Sequence, residues 1–69
     1  MPLSSAPKGS VSSIKKITGN DETRRFLSHL GFVEGAAVTV VSETAGNLIL
    51  KIKASRIAVE KALAKKIFV

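Results

Sequence analysis

Residues 27–40 read LSHLGFVEGAAVTV and join the end of a predicted helix to the start of a predicted strand. Upstream, Asn20 is a suitable N-cap because its side chain can accept a hydrogen bond from a free backbone amide of the first turn. Two acidic residues follow directly, where the positive end of the helix dipole favours them. Gly31 is placed to end the helix in a left-handed conformation. The pattern predicts a short helix over Asp21 to Leu30.

The predicted helix has one apolar face, formed by Phe26, Leu27 and Leu30. Apolar residues at this spacing lie on the side of a helix that packs against a core. The chain has only three aromatic residues, and the other two, Phe32 and Phe68, also stand beside apolar neighbours. We therefore expect all three phenylalanines to be buried.

The remaining sequence contains short β-prone segments separated by turn residues, which predict strands. In one of them Leu48, Leu50 and Ile52 occupy alternate positions, as in a half-buried strand. In the first segment the apolar residues recur at every third position, which predicts a bulge. The link Glu43 to Asn47, with a glycine near its end, predicts a hairpin loop. The expected strands are Val11–Thr18, Val38–Ser42, Leu48–Lys53, Arg56–Val59 and Ile67–Val69, and a short helix is expected within Glu60–Lys66, with Ala62 and Leu63 facing inward.

Five short strands, with one helix after the first and a short helix before the last, predict a mainly β fold. Because a closed sheet leaves no free edges, we expect a small five-stranded β-barrel. The 69 residues suffice for one domain, which we expect to span residues 1–69. Residues 1–8 contain both prolines and are expected to be a loosely ordered lead-in that docks at most through Leu3.

Few side chains in this sequence could carry chemistry. It contains no cysteine and a single histidine, His29, and its five carboxylates show no spacing typical of a catalytic pair. A zinc or iron site needs several histidine, cysteine or clustered carboxylate ligands. We therefore expect neither catalysis nor a cofactor, and we expect any metal ion to be held weakly or with ligands from a partner.

The formal net charge of +6 predicts an anionic partner, such as an acidic protein, a phospholipid surface or a nucleic acid. A small basic nucleic-acid-binding barrel is an alternative, but such proteins stack bases on exposed aromatic rings, and Tyr and Trp are absent here.

No segment resembles a signal peptide or is apolar for long enough to span a membrane. We therefore expect a cytoplasmic protein that does not insert into membranes. Any strand edge left free, together with the apolar stripe of the helix, would allow weak self-association.

The expected contact surface is a groove between the predicted helix and the hairpin of Val38 to Lys53. Its expected contact residues are four cations and one apolar residue at the edge of the helix, namely Arg24, Arg25, Lys51, Lys53 and Leu27. The cations fit a plain solvated surface equally well, and Leu27 fits a core position better than a contact position.

The same stretch, residues 27–40, resembles the FeoA domain, in which a leucine, two variable residues, leucine and glycine precede a second glycine and a valine-rich strand. The resemblance extends to Pro7–Gly9, Ile14 with Ile17, Arg56–Val59 and Ala64–Val69. It implies an SH3-like barrel and an accessory role in bacterial ferrous iron transport, exerted on the cytoplasmic GTP-binding part of the FeoB transporter. It also admits a stand-alone SH3-like module of a metal-dependent regulator. The family often has a glycine after the third strand, where this chain has Lys53-Ala54-Ser55.

Overall fold

Six strands and three short helices follow one another along the chain, and the computed structural model describes every residue from Met1 to Val69. The fold is mainly β, as expected. The strands are β1 (Val11–Ser13), β2 (Lys16–Ile17), β3 (Ala37–Thr44), β4 (Asn47–Ile52), β5 (Ser55–Glu60) and β6 (Ile67–Phe68). The helices are a 3₁₀ turn (Leu3–Ser5), α1 (Asp21–His29) and α2 (Lys61–Ala64). None of the three helices has the length and apolar character that crossing a membrane requires.

Both ends of α1 form where the sequence predicts them, to within one residue. The Oδ1 atom of Asn20 accepts a hydrogen bond from the amide of Thr23 at 2.8 Å, which caps the first turn. At the other end Gly31 has a φ of +102°, a conformation that glycine adopts without strain. The amide of Phe32 then donates to the carbonyl of Leu27 at 3.0 Å, which closes the helix.

The first predicted strand is divided into β1 and β2, and the expected closed barrel is not formed. β1 pairs with β3, whereas β2 pairs antiparallel with β6. Between them, the amide of Ile14 donates to the carbonyl of Ala36 at 3.0 Å, and the amide of Lys15 donates to the carbonyl of Phe68 at 2.7 Å. The chain thus changes partner at this point, and the strands form two separate ladders, β1-β3-β4-β5 and β2-β6. This change of partner takes the place of the predicted bulge.

The β3–β4 hairpin is tighter than expected. Its strands extend to Thr44 and Asn47, which leaves the two-residue turn Ala45–Gly46 instead of a five-residue loop. Both turn residues have positive φ values, +49° and +81°, as in the type I′ turn that matches the twist of the flanking strands. The register shifts between Val40 and Ser42, so the bulge of this sheet lies in β3.

The core is wholly apolar, because no buried residue is polar or charged. The alternation predicted for β4 is confirmed, since Leu48, Leu50 and Ile52 are buried while Lys51 between them is exposed. Complete burial of a side chain of this size contributes about 1.5–3 kcal/mol. The other buried residues are Leu3, Ile14, Leu27, Phe32, Val38, Val40, Val59, Ala64, Ile67 and Val69.

Only one of the three phenylalanines is buried, so the prediction for the other two is wrong. Phe32 is fully buried and Phe68 is half-buried, whereas the side chain of Phe26 is 53% exposed. Adjacent residues of a helix point about 100° apart, and Leu27 occupies the position of α1 that faces the core. Phe26 is therefore left at the rim of the domain.

α2 also buries a different residue from those predicted. Ala64 is fully buried, whereas Ala62 is exposed and Leu63 is only half-buried. A helix of four residues makes a single turn, so one side chain faces the core and the others are turned away from it. Leu63 is thereby left beside β5, at the same rim as Phe26.

The two ends of the chain meet, and the first residues pack against the last strand. Leu3 does dock in the core and is fully buried, within the 3₁₀ turn. The amino group of Met1 donates to the carbonyl of Val69 at 2.9 Å, and Pro2 forms a β-bridge with Phe68. These contacts hold the lead-in against β6.

Candidate functional site

Lys51 lies on the outer face of the four-stranded sheet, in a row of side chains that crosses all four strands. The register places Val11 opposite Thr39, Thr39 opposite Lys51, and Lys51 opposite Arg56. The other face of these strands holds the buried residues, so this row points away from the core. Lys51 and Arg56 are both exposed, and neither forms an ion pair with a carboxylate.

Lys51 and Arg56 stand in close opposition. The amide of Lys61 donates to the carbonyl of Gly46 at 3.0 Å, which identifies the hydrogen-bonded positions of the β4–β5 ladder. Along an antiparallel ladder, hydrogen-bonded pairs of opposite residues alternate with non-hydrogen-bonded pairs. Because Gly46 and Lys61 form a hydrogen-bonded pair, Lys51 and Arg56 form a non-hydrogen-bonded pair, in which the opposite Cα atoms lie only about 4.5 Å apart. Like charges directly opposite each other destabilise a sheet. An acidic group bound beside this pair would offset that cost.

Arg24 and Arg25 lie on the exposed side of α1. With Asp21 and Ser28 they line a shallow surface depression of about 520 Å³. The Nη2 atom of Arg24 is 2.6 Å from the Oδ1 atom of Asp21, but both side chains are more than half exposed, so this ion pair adds little stability. Arg25 is exposed and forms no ion pair. Of the two, Arg25 is therefore the cation that is free to attract a partner.

Lys53 occupies the turn between β4 and β5 in a left-handed conformation, with a φ of +54°. This is the region of the chain where the FeoA pattern often has a glycine, which such a φ would suit. The side chain of Lys53 lies beside the end of α1, because a Cβ atom added to Gly31 would be 3.9 Å from its Cε atom. A cation is favourable near a helix C-terminus, so Lys53 has a structural role as well as a charge.

Leu27 is fully buried, so it occupies a core position and not a contact position. The expected groove between α1 and the β3–β4 hairpin is not formed. α1 contributes Leu27 to the core on the inner side of the sheet, whereas Lys51 points away from that core. Among the predicted contact residues, the structure brings only Arg24 and Arg25 together in one depression.

A different groove lies between α1, β5 and α2. Its volume is about 310 Å³, and all but one of its lining residues are apolar. The lining residues are Phe26, Leu30, Ala58, Val59, Glu60 and Leu63. No sequence pattern indicates this groove, because Phe26 and Leu63 follow the pattern of core residues and only the packing leaves them at the rim.

No three side chains of histidine, cysteine, aspartate or glutamate come together as a metal-binding group. His29, Asp21 and Glu34 are all exposed and do not form such a group. The chemistry that these surfaces offer directly is binding, through exposed cations and one apolar groove.

A family model described as the FeoA domain matches the chain over residues 1–69. Comparison with curated proteins gives no match. Among solved structures, a FeoA described as an iron uptake regulatory protein is 26% identical to this chain, with a TM-score of 0.88. The alignment covers 97% of this chain and 91% of that one.

Two further solved structures have names that mention iron transport. Iron(II) transport protein A from Clostridium thermocellum is 27% identical, with a TM-score of 0.91 over 99% of this chain and 43% of that one. FeoA from Stenotrophomonas maltophilia, solved with zinc, is 27% identical, with a TM-score of 0.85 over 99% of this chain and 87% of that one. It is described as a prokaryotic SH3 domain protein and a candidate ferrous iron transport activating factor.

A manganese-dependent transcriptional repressor has the same fold at 16% identity, with a TM-score of 0.87. Here 97% of this chain corresponds to 39% of the repressor, so the likeness concerns one module of a longer protein. Together these comparisons identify the mainly β fold of this chain as SH3-like.

Proposed function

The chain belongs to the FeoA domain family, and from this we propose that it is a non-catalytic cytoplasmic accessory protein of bacterial ferrous iron transport. Membership of the family implies an accessory role in that process. In this proposal the protein acts by binding the cytoplasmic GTP-binding part of the FeoB transporter. The observation that carries the proposal is that the family match includes every residue from 1 to 69.

The exposed cations support binding to an acidic surface of the transporter. Arg24, Arg25, Lys51 and Lys53 are the proposed contributors, and all four are exposed. Arg25 and Lys51 contribute most, because Arg24 is paired with Asp21 and Lys53 lies at the end of α1. In the same proposal the protein holds no metal of its own, and a ferrous ion contacts it only weakly or with ligands from the partner.

The likeness to the manganese-dependent repressor favours one alternative, a stand-alone SH3-like module of a metal-dependent regulator. The FeoA proteins are nevertheless more similar in sequence, and two of them match over most of their own length. A regulator that lacks its own SH3-like module is the appropriate second bait. Binding to that bait, and not to the transporter fragment, would favour the alternative.

The test is a binding measurement by biolayer interferometry between this chain and the purified cytoplasmic GTP-binding part of FeoB. We expect binding at low salt, and we expect the double variant R25Q/K51Q to weaken it about tenfold or more, which corresponds to about 1.4 kcal/mol. The double variant K15Q/K65Q is the matched control, because it removes the same charge from two other exposed lysines. Absence of binding at low salt contradicts the proposed partner.

A further inference from the structure

One edge of the four-stranded sheet is free. β5 pairs with β4 only, and it stands last in the strand order. The Lys61–Gly46 hydrogen bond shows which residues of β5 are hydrogen-bonded to β4. The residues between them, Arg56, Ala58 and Glu60, point their amides and carbonyls away from β4. Outside the helices and strands, none of the three amides and neither the carbonyl of Arg56 nor that of Ala58 has a backbone partner. The carbonyl of Glu60 stands at the N-cap of α2, where it accepts the first hydrogen bond of that helix. Such an edge is a ready template for a further strand.

The side chains at this edge are arranged so that the edge complements itself. Ala58 is small and lies midway between Arg56 and Glu60, which carry opposite charges on the same outer face of β5. If two copies of β5 pair antiparallel about Ala58, each Arg56 stands opposite Glu60 of the other copy. Opposite charges placed in this way stabilise a sheet. The same pairing uses the amide and carbonyl of Ala58 and joins the amide of each Glu60 to the carbonyl of Arg56 of the other copy.

The pairing also bears on two unfavourable features of the single chain, a pair of like charges and an exposed apolar groove. Glu60 of the second copy would extend the row that contains Lys51 and Arg56, and its carboxylate would offset their mutual repulsion. The apolar groove is lined by Ala58, Val59 and Glu60 of the same strand, so it lies along this edge. In a two-fold pair the two grooves lie along the shared edge, each with a Phe26 that is 53% exposed in the single chain.

We propose that the free edge of β5 is a docking surface for a second copy of this chain. The two copies pair through β5 about a two-fold axis at Ala58, which joins their two four-stranded sheets into one continuous sheet. A two-fold interface of this kind uses the same patch on both copies. The inference goes beyond the proposed function and does not depend on it. Two copies that each carry a charge of +6 repel at long range, so the association is weak and depends on protein concentration.

A charge exchange across the edge tests this pairing. We expect sedimentation velocity of the wild-type chain to show a dimer that grows with protein concentration. The variants R56E and E60R each place like charges opposite each other in a homodimer, so both should remain monomeric. An equimolar mixture of the two should form a heterodimer, because every carboxylate at the edge then faces a guanidinium group of the other chain. For the same reason the double variant R56E/E60R should dimerise again.

Two controls separate the edge from other causes. The variant K65E reverses one exposed charge away from β5 and should leave the dimer intact. The variant A58P should abolish the dimer, because the lost amide faces the free edge and does not pair with β4. Circular dichroism checks that each variant is folded. If A58P does not fold, the charge exchange between R56E and E60R still tests the pairing of β5.

A wild-type chain that stays monomeric at millimolar concentration would overturn the inference. So would failure of the R56E and E60R mixture to associate while the wild type dimerises. Hydrogen exchange gives a third readout, in which the amides of Arg56, Ala58 and Glu60 become protected as concentration rises. Protection that appears only when the FeoB fragment is added to a monomeric chain would also overturn it, and would leave the proposed function standing.

Discussion

At the scale of single residues, the two tight turns of the sheet hold non-glycine residues in a conformation that side chains rarely adopt. Ala45 has a φ of +49° in the β3–β4 turn, and Lys53 has a φ of +54° in the β4–β5 turn. A left-handed conformation costs a residue with a Cβ atom about 1–2 kcal/mol. The chain bears this cost twice, because the two-residue turns whose twist matches that of the flanking strands need a positive φ at their first central residue.

The substitution A45N should raise the stability of the domain. Asn-Gly is the preferred pair for a type I′ turn, since asparagine tolerates a positive φ better than alanine. We expect the free energy of unfolding to rise by about 0.5–1 kcal/mol, measured by urea denaturation.

The substitution G46A in the same turn is the opposite control. A Cβ atom at Gly46 would meet nothing within 4 Å, so the change tests the backbone conformation alone. We expect a loss of about 1 kcal/mol from its φ of +81°. If A45N and G46A were both neutral, the turn would not be type I′ in solution.

At the scale of elements, α1 is specified by its own ends. Asn20 caps the amide of Thr23, and Gly31 reverses the chain toward β3. Both signals are local, so they can be recognised in the sequence without knowledge of the fold. The positions of Phe26 and Leu63 are different, because the residues that cover an apolar side chain come from distant elements. Only packing decides which residue of an apolar stripe is buried and which is left at the rim.

Removal of the α1 cap should destabilise the domain by a measurable amount. The variant N20A loses the acceptor for the Thr23 amide, and we expect the free energy of unfolding to fall by about 0.5–2 kcal/mol in urea denaturation. The variant N20S keeps an acceptor at the same position and should recover most of the loss. Equal stability of N20A and N20S would mean that the cap contributes nothing.

At the scale of the whole molecule, charge is spread over the surface and little of it is compensated. The ion pairs are Arg24–Asp21 and Lys61–Glu43, and both are at least partly exposed. Arg25 and Lys51 form no ion pair and remain available to an acidic partner. A net charge of +6 on so small a chain therefore acts mainly on encounter with other molecules and not on the fold.

Association with the cytoplasmic part of FeoB should accordingly depend on salt. Screening shortens the reach of exposed charges to about 8 Å at physiological ionic strength. We expect the association rate constant, measured by stopped-flow or interferometry, to fall at least about tenfold between low salt and physiological salt. The variant R25Q/K51Q should show a flatter salt dependence than K15Q/K65Q. An association rate that does not change with salt would contradict charge-guided binding.

Local signals in the sequence were enough to establish the mainly β class, the family, the span of α1 and the alternation of β4. The family depends on the resemblance of several segments to the FeoA pattern. The class, the helix and the strand each depend on features within one segment: caps, glycines and the period of apolar residues. Residues 27–40 contain most of them, and the structure keeps their order of helix end, turn and strand. Only the folded chain reveals that the first strand changes partner at Ile14 and Lys15, and that the sheet stays open at β5. Strand partnership and edge exposure depend on residues far apart in the chain, which no local pattern records.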